Sequence, residues 1–253
     1  MITFSIQSGS NGNCIYVEAG DTWLFFDAGV SGKRAKERMA EHGRCPSDVD
    51  ALFVSHEHGD HIRSAGVFHR MFDVPVYVTK RTLNANGWDL GRIDDVRHFE
   101  AGESIRLNGI VVHTIPTPHD AVDTVSFIVE FDDRRLGIFT DLGHPFRMLS
   151  ELLESADAAY LESNYDVGML DEGPYPEHLK MRIAGGGGHL SNKESADVLR
   201  RSVHRRMKWI ALSHLSEENN APEIALDTHQ SMVSRDLPFH LASRYAVSPM
   251  LEV

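Results

Sequence analysis

Short apolar runs interrupted by polar positions open the chain: ITFSI (2–6), CIYVEA (14–19) and TWLFFDA (22–28), separated by glycine-bearing turns. That alternation predicts β-strands joined by tight connections. Charged residues at helical spacing follow from Ser31 to His42, and then the uninterrupted apolar run ALFVS (51–55), which reads as a strand buried on both faces. Helical spacing returns from Asp60 to Met71 and leads into PVYV. The middle of the chain is rich in strands: SIRL, IVVHTI, TVSFIVEF and RLGIFT. After Thr140 the texture changes. Predicted helices at 146–153, 176–184, 192–205 and 222–233 alternate with the strands AAYLE and WIALS. Two strand clusters with helices between and after them predict an α+β fold, an αββα sandwich of two packed sheets with helices outside. No repeat, low-complexity tract or long linker divides the sequence, so one domain spanning 1–253 is expected.

Composition narrows the class. Of 253 residues 42% are hydrophobic and 25% charged, near the averages of globular domains, which excludes disordered and fibrous chains. No segment approaches the ~18 apolar residues of a membrane span, and the start MITFSIQSGSNGNC lacks a basic region followed by an apolar stretch. The expectation is a cytoplasmic protein with no membrane partner, and two cysteines, Cys14 and Cys45, suit a reducing compartment. With 37 acidic against 25 basic residues the net charge is −12, which argues against a general polyanion binder. Arg200, Arg201, Arg205, Arg206 and Lys208 form a local exception, readable as a nucleic-acid track or as a solvated helix face. Histidine is the outlier, its 15 copies outnumbering the 12 phenylalanines.

Those histidines converge at His56-Glu57-His58-Gly59-Asp60-His61, directly after ALFVS. Three imidazoles and a carboxylate within six residues are the ligand types of zinc and related divalent ions. An extended stretch puts His56 and His58 on one side, and the following turn brings Asp60 and His61 round to a second position, so one loop can feed two ions. His119, Asp141 and His214 follow or end other strands, where loops gather into a site.

HxHxDH after an apolar strand resembles the metallo-β-lactamase-fold superfamily of binuclear metallohydrolases. The resemblance implies that Asp27 in LFFDAG holds the histidine loop. It also implies that His119 in TPHDAVD, Asp141 in GIFTDLG and His214 in IALSHLS complete the ligand set. His56, His58 and His119 would then bind one ion, Asp60, His61 and His214 the other, with Asp141 bridging; zinc, manganese or iron suits these donors. Glu162 and His189 resemble the pair with which the RNase Z branch acts on the leaving group, and a carboxylate orienting an imidazolium makes a general acid. SGSNGNC, SHEHGDH, GHLSN and SHLSEENN together resemble the YycJ/WalJ-type group. This implies a 5′-to-3′ exonuclease acting on DNA rather than RNA, with Asp60, His189 and Glu162 in its chemistry. Only 47 residues separate Asp141 from His189, too few for the β-CASP insertion of RNase J relatives. Two alternatives stay open: hydrolysis of a small molecule, such as a cyclic or signalling nucleotide, and a scaffold without catalysis. Ser8, Ser10, Asn11 and Asn13 read either as phosphate donors or as turn formers.

Overall fold

The computed structural model describes residues 1–233 and 236–253. The first sheet takes its strands in chain order: β1 (Ile2–Gln7), β2 (Cys14–Ala19), β3 (Thr22–Phe26), β4 (Ala51–Phe53), β5 (Val76–Val78) and β6 (Val96–His98). The second does the same with β7 (Ser104–Leu107), β8 (Ile110–Pro116), β9 (Val125–Phe131), β10 (Arg134–Phe139), β11 (Ala158–Glu162), β12 (Trp209–Ser213) and β13 (Phe239–Leu241). A last strand, β14 (Leu251–Glu252), returns to pair with β1. Each sheet begins as an antiparallel meander and continues parallel, from β3 onward in the first and from β10 onward in the second. Parallel neighbours need crossovers. These are made by helices α1 (Gly32–Glu41), α2 (Gly59–Ile62), α3 (Ala65–Phe72), α4 (Lys80–Ala85), α5 (Arg147–Ser155), α6 (Val167–Glu172), α7 (Glu177–Ile183), α8 (Asn192–Ser202) and α9 (Pro222–Met232).

Period-2 alternation sorts the side chains into three apolar layers. Leu24, Phe26, Phe53, Val112, Phe127, Ile138 and Tyr160 fill the space between the sheets. On the outer face of the first sheet Phe4, Tyr16, Phe25 and Leu52 meet Met39 of α1 and Phe68 of α3. On the outer face of the second, Ile128, Phe139, Leu161 and Ile210 meet Leu149 and Leu153 of α5 and Leu199 of α8. The neighbours Phe25 and Phe26 show the sorting directly: Phe25 stacks edge-on to Phe68 at 5.2 Å, while Phe26 faces Phe127 across the sandwich at 5.0 Å. Strands buried on both faces lose the visible alternation, which is why ALFVS, AAYLE and WIALS read as continuous apolar runs. The layers are thus helix, sheet, sheet, helix, as the sequence pattern implies.

Several boundaries differ from expectation. The helix expected over 60–71 is two helices, broken where Ser64 donates its N–H to Ala28 O instead of to its own turn. The helix expected to Arg205 ends at Ser202, where Val203 turns extended. Strand pairing of ALFVS stops at Phe53, because Ser55 N–H is claimed by the Asp27 carboxylate. The short elements α4, β6, α6, β13 and β14 carry too few apolar residues to be visible in a periodicity. Of the basic stretch, Arg200 and Arg201 both pair with Asp197 on their own helix, while Arg205, Arg206 and Lys208 lie beyond its end. Many histidines outside the loops serve as staples: His42, His69, His98, His204 and His229 each bond a main-chain carbonyl. Burial pushes the His229 pKa down to about 4.

Phe127 joins the two sheets, meeting both Phe26 and Phe53. Phe127→Ala is expected to lower stability by about 3–5 kcal/mol, measured by urea unfolding, because the cavity lies between two rigid sheets that cannot collapse into it. A loss under about 1 kcal/mol would contradict the packing described.

Candidate metal centre

The candidate ligands leave the sheets at one edge. β8 and β10 run the same way, each antiparallel to β9, and β10, β11 and β12 are parallel. His119, Asp141, Glu162 and His214 therefore follow or end strands pointing in one direction, the usual place for a site in such sheets. Asp27 and His56 follow β3 and β4 in the facing sheet, and His58, Asp60 and His61 follow on the start of α2. Asp27, Asp141 and His214 have φ of 65°, 57° and 55°, left-handed values that non-glycine residues rarely adopt. Such strain persists where the surroundings over-determine it, and here it turns each side chain inward from its strand end.

Hydrogen bonds fix which nitrogen of each ring faces the centre. Asp27 accepts from Ser55 N, Ser55 Oγ and His61 Nδ1 at 2.8, 3.0 and 2.7 Å. Ser55 Oγ, its proton given to Asp27, accepts from His56 Nδ1 at 2.9 Å. His119 Nδ1 donates to Gly188 O at 3.0 Å, and His214 Nδ1 to Glu162 Oε1 at 3.0 Å. Four rings thus commit Nδ1–H to the protein and turn Nε2 towards the centre, an arrangement usual for metal-ligating imidazoles. His58 is the exception, turning Nδ1 towards His119 Nε2 at 3.2 Å.

The donor atoms fall into overlapping sets within 4.8 Å of one another: His56, His58 and His119; Asp60, His61 and His214; and His56, His61 and Asp141. Asp141 stands between them, with Oδ2 3.1 Å from His61 Nε2 and Oδ1 3.3 Å from His214 Nδ1 and 3.8 Å from His119 Nε2. His56 Nε2 and Asp141 Oδ2 are buried without a hydrogen-bond partner. An acceptor left unpaired in the interior is costly. Two such atoms facing a shared space fit a cation, as does a donor set of imidazole nitrogens and carboxylate oxygens.

Charge is divided unevenly. Burial holds the His56 and His119 pKa values below the ordinary range. Burial pushes His61 and His214 the same way, but carboxylates outweigh it. Asp141, Asp27 and Asp60 raise His61 well above its usual value, and Asp141, Asp60 and Glu162 raise His214 to about 10. Asp60 and Asp141 are held well below the carboxylate range despite burial, through His61 and His214. Among the described residues no lysine or arginine pairs with Asp27, Asp60, Asp141 or Glu162.

Glu162, fully buried, joins three loops. It accepts from His189 Nδ1 at 2.9 Å and His214 Nδ1 at 3.0 Å, and from the backbone N–H of Leu142 and Leu190 at 2.8 and 3.1 Å. The pairing with His189 that the sequence suggested is present, and the hold on His214 and the Asp141 loop adds to it. By position Glu162 orients other groups and does not itself face the cavity. Asn13 closes its own turn through Gly9 N and also reaches Asp60 Oδ2 and His61 Nε2 at 3.3 and 2.9 Å. Ser8 Oγ accepts from His214 N–H at 2.8 Å, so the first loop is a turn that also braces ligands. Gly29 is required here, because a Cβ at that position would fall 1.6 Å from Asp60 O. The asparagines of SHLSEENN and GHLSN are braces too: Asn220 and Asn192 bond each other, and Asn220 bonds Ser163 O and Asn164 O.

A cavity of about 400 Å³ opens onto these atoms, lined by His58, Asp60, His119, Asp141, His189 and His214. Its wall also includes Asp120, Asn164, Tyr175, Arg182 and Ser216, which sequence reasoning missed. Asp120 Oδ1 lies 3.5 Å from His119 Nε2 and pairs with Arg182 of α7. Its adjacency to His119 was the available signal; Arg182 and Tyr175 reach the wall from another segment, and nothing local marks them. His113 bonds Ser104 and His144 bonds Gly186 O, and neither lines the cavity.

Residues 8–214 match the metallo-beta-lactamase superfamily. The chain is 37% identical over 234 residues to the exodeoxyribonuclease WalJ of Streptococcus pneumoniae serotype 2 (strain D39 / NCTC 7466), covering 91% of this chain and 86% of that protein. It is 35% identical over 222 residues to the exodeoxyribonuclease YycJ of Bacillus anthracis, covering 87% and 84%. Among solved structures the metallo-beta-lactamase fold protein YhfI from Bacillus subtilis superposes with a TM-score of 0.77 at 14% identity, over 100% of this chain and 99% of that one.

Elemental analysis of the purified protein is expected to find about two divalent ions per chain, the number that two ligand sets flanking one carboxylate hold. His58→Ala, which removes the ring with least support, is expected to lower that content while leaving the circular dichroism spectrum unchanged. A protein free of metal after reconstitution would contradict the site.

Proposed function

Because this chain belongs to the metallo-beta-lactamase superfamily, in one group with its WalJ and YycJ relatives, we propose that it is a metal-dependent exodeoxyribonuclease. It hydrolyses phosphodiester bonds of DNA from the 5′ end, as a single catalytic unit spanning 1–253. The observation that carries this reading is the pairing of two features in one cavity: histidine nitrogens gathered around Asp141, and His189 held by Glu162 beside them. His56, His58 and His119 would hold one divalent ion and Asp60, His61 and His214 a second, with Asp141 beside both sets; nitrogen donors favour zinc, and the carboxylates admit manganese or iron. Bound ions of this kind ionise water near neutral pH and neutralise charge developing on a phosphoryl group.

The protein's own residues supply the rest. Asp27, Ser55, Gly188 and Glu162 engage Nδ1 of four rings and leave Nε2 facing the centre; on His61 and His214, which the carboxylates hold protonated, a cation would displace the Nε2 proton. Glu162 Oε1 accepts from His189 Nδ1 and so favours the imidazolium, whose Nε2–H is the proton available to the departing oxygen; the ring is left neutral with its proton on Nδ1. Glu162 is thus a positioning residue and His189 the general acid. A cytoplasmic setting is consistent with Cys14 and Cys45, which are both free thiols, and no described helix is long and apolar enough to cross a membrane.

A general acid matters most when the leaving oxygen is basic. His189→Ala is expected to slow hydrolysis of 5′-phosphorylated DNA by about 10²–10⁴-fold. The same variant should lose less than about tenfold on methyl p-nitrophenyl phosphate, whose phenolate departs without a proton. Equal losses on the two substrates would assign His189 to binding, and turnover of the small diester with no action on DNA would favour a small-molecule phosphodiesterase.

A further inference from the structure

Two exposed aromatic side chains have no role in the packing or in the metal centre. Trp88 is 51% exposed and Tyr245 64%. The other large apolar side chains exposed among the described residues are methionine, valine and isoleucine. Trp88 packs on Gly59 at the edge of the catalytic cavity, and Tyr245 lines a neighbouring pocket that has Ser216 in common with it. The Trp88 indole lies against Gly59, between the candidate ligands His58 and Asp60, where a Cβ on Gly59 would fall 2.3 Å from the ring. Asn86 fastens Trp88 there, accepting its N–H at 3.0 Å and donating to its carbonyl at 2.8 Å. Tyr245 walls a separate apolar pocket of about 260 Å³ with Leu215, Pro222, Leu241 and Ala242, and Ser216 lines both this pocket and the catalytic cavity. Arg38 holds the Tyr245 carbonyl and Glu217 its hydroxyl, so the ring is fixed although exposed.

We propose that Trp88 and Tyr245 are stacking platforms for bases of a single DNA strand whose phosphodiester lies in the catalytic cavity; this rests on the nuclease reading. Every base has a π-face, so such platforms hold a strand without reading its sequence. A duplex hides those faces within its own stack, which restricts this grip to unpaired ends. Side chains of the cavity wall offer a strand little positive charge. The net charge is −12, and Arg182 is the sole lysine or arginine among the described residues of the cavity wall, already paired with Asp120. Ser216 lines both the catalytic cavity and the Tyr245 pocket, so an apolar surface adjoins the cavity on that side.

The test uses metal-loaded protein. Binding of fluorescein-labelled oligothymidine is followed by anisotropy in the His189→Ala background, where turnover is slow, and hydrolysis of methyl p-nitrophenyl phosphate is followed in the otherwise unchanged enzyme. Trp88→Ala and Tyr245→Ala are each expected to weaken oligonucleotide binding by roughly 5- to 100-fold, the range of one lost stacking contact. Trp88→Phe and Tyr245→Phe should retain most of it, and none of the four should alter the small diester. Unchanged oligonucleotide affinity in both alanine variants would overturn the proposal. So would an equal loss on the small diester, which has no base to stack. If wild-type protein fails to cleave DNA but the binding losses appear, the nuclease reading falls and the platforms stand.

Discussion

Four carboxylates, Asp27, Asp60, Asp141 and Glu162, lie within one cluster of histidines, and among the described residues no lysine or arginine neutralises them. Charge taken out of water is stable only when paired and hydrogen-bonded. The protein meets that constraint in two ways. Each carboxylate is surrounded by donors: backbone N–H groups, a serine hydroxyl, an asparagine amide and imidazole protons. And four histidines that engage Nδ1 with the protein turn Nε2 inward, beside the Asp60 and Asp141 carboxylates. Such a cluster is completed by cations, which reverse the local sign of an acidic chain.

The fold follows from the need to bring these groups together. They come from six separate strand ends and one loop spread over most of the chain, from Asp27 to His214. Two sheets of similar construction, each an antiparallel meander continued by parallel strands, release their loops at a common edge. The three apolar layers hold the sheets rigid enough to support left-handed backbone at Asp27, Asp141 and His214. Residues that read as turn formers do double duty: Ser8 and Asn13 close a loop, and Ser8 also touches His214 from the opposite sheet while Asn13 touches His61 from its own.

Much of this was legible in the sequence, for physical reasons that differ by element. Long strands and helices declare themselves by periodicity, and HEHGDH announces a metal site because no ordinary loop needs three imidazoles and a carboxylate so close together. His119, Asp141 and His214 became visible through their places after strands and their resemblance to a known ligand order. What stayed hidden depends on contacts between distant segments. Ser55 is the end of an apolar strand by pattern, yet its hydroxyl links His56 to Asp27. Arg182 and Tyr175 reach the cavity only because α7 and the segment before it fold over it, and Glu162 gains its second and third partners only when β10, β11 and β12 align. The break in the helix after Ile62 was equally invisible, being set by the carbonyl of Ala28.

The central claim is that Asp141 lies between two cation positions built from opposite sheets. Anomalous diffraction from metal-loaded crystals, collected at the absorption edge of the bound element, tests it most directly. The account requires two peaks about 3.5–4 Å apart on either side of the Asp141 carboxylate, one beside His56, His58 and His119 and one beside Asp60, His61 and His214. A single peak, or peaks that leave Asp141 outside the coordination of either ion, would contradict it.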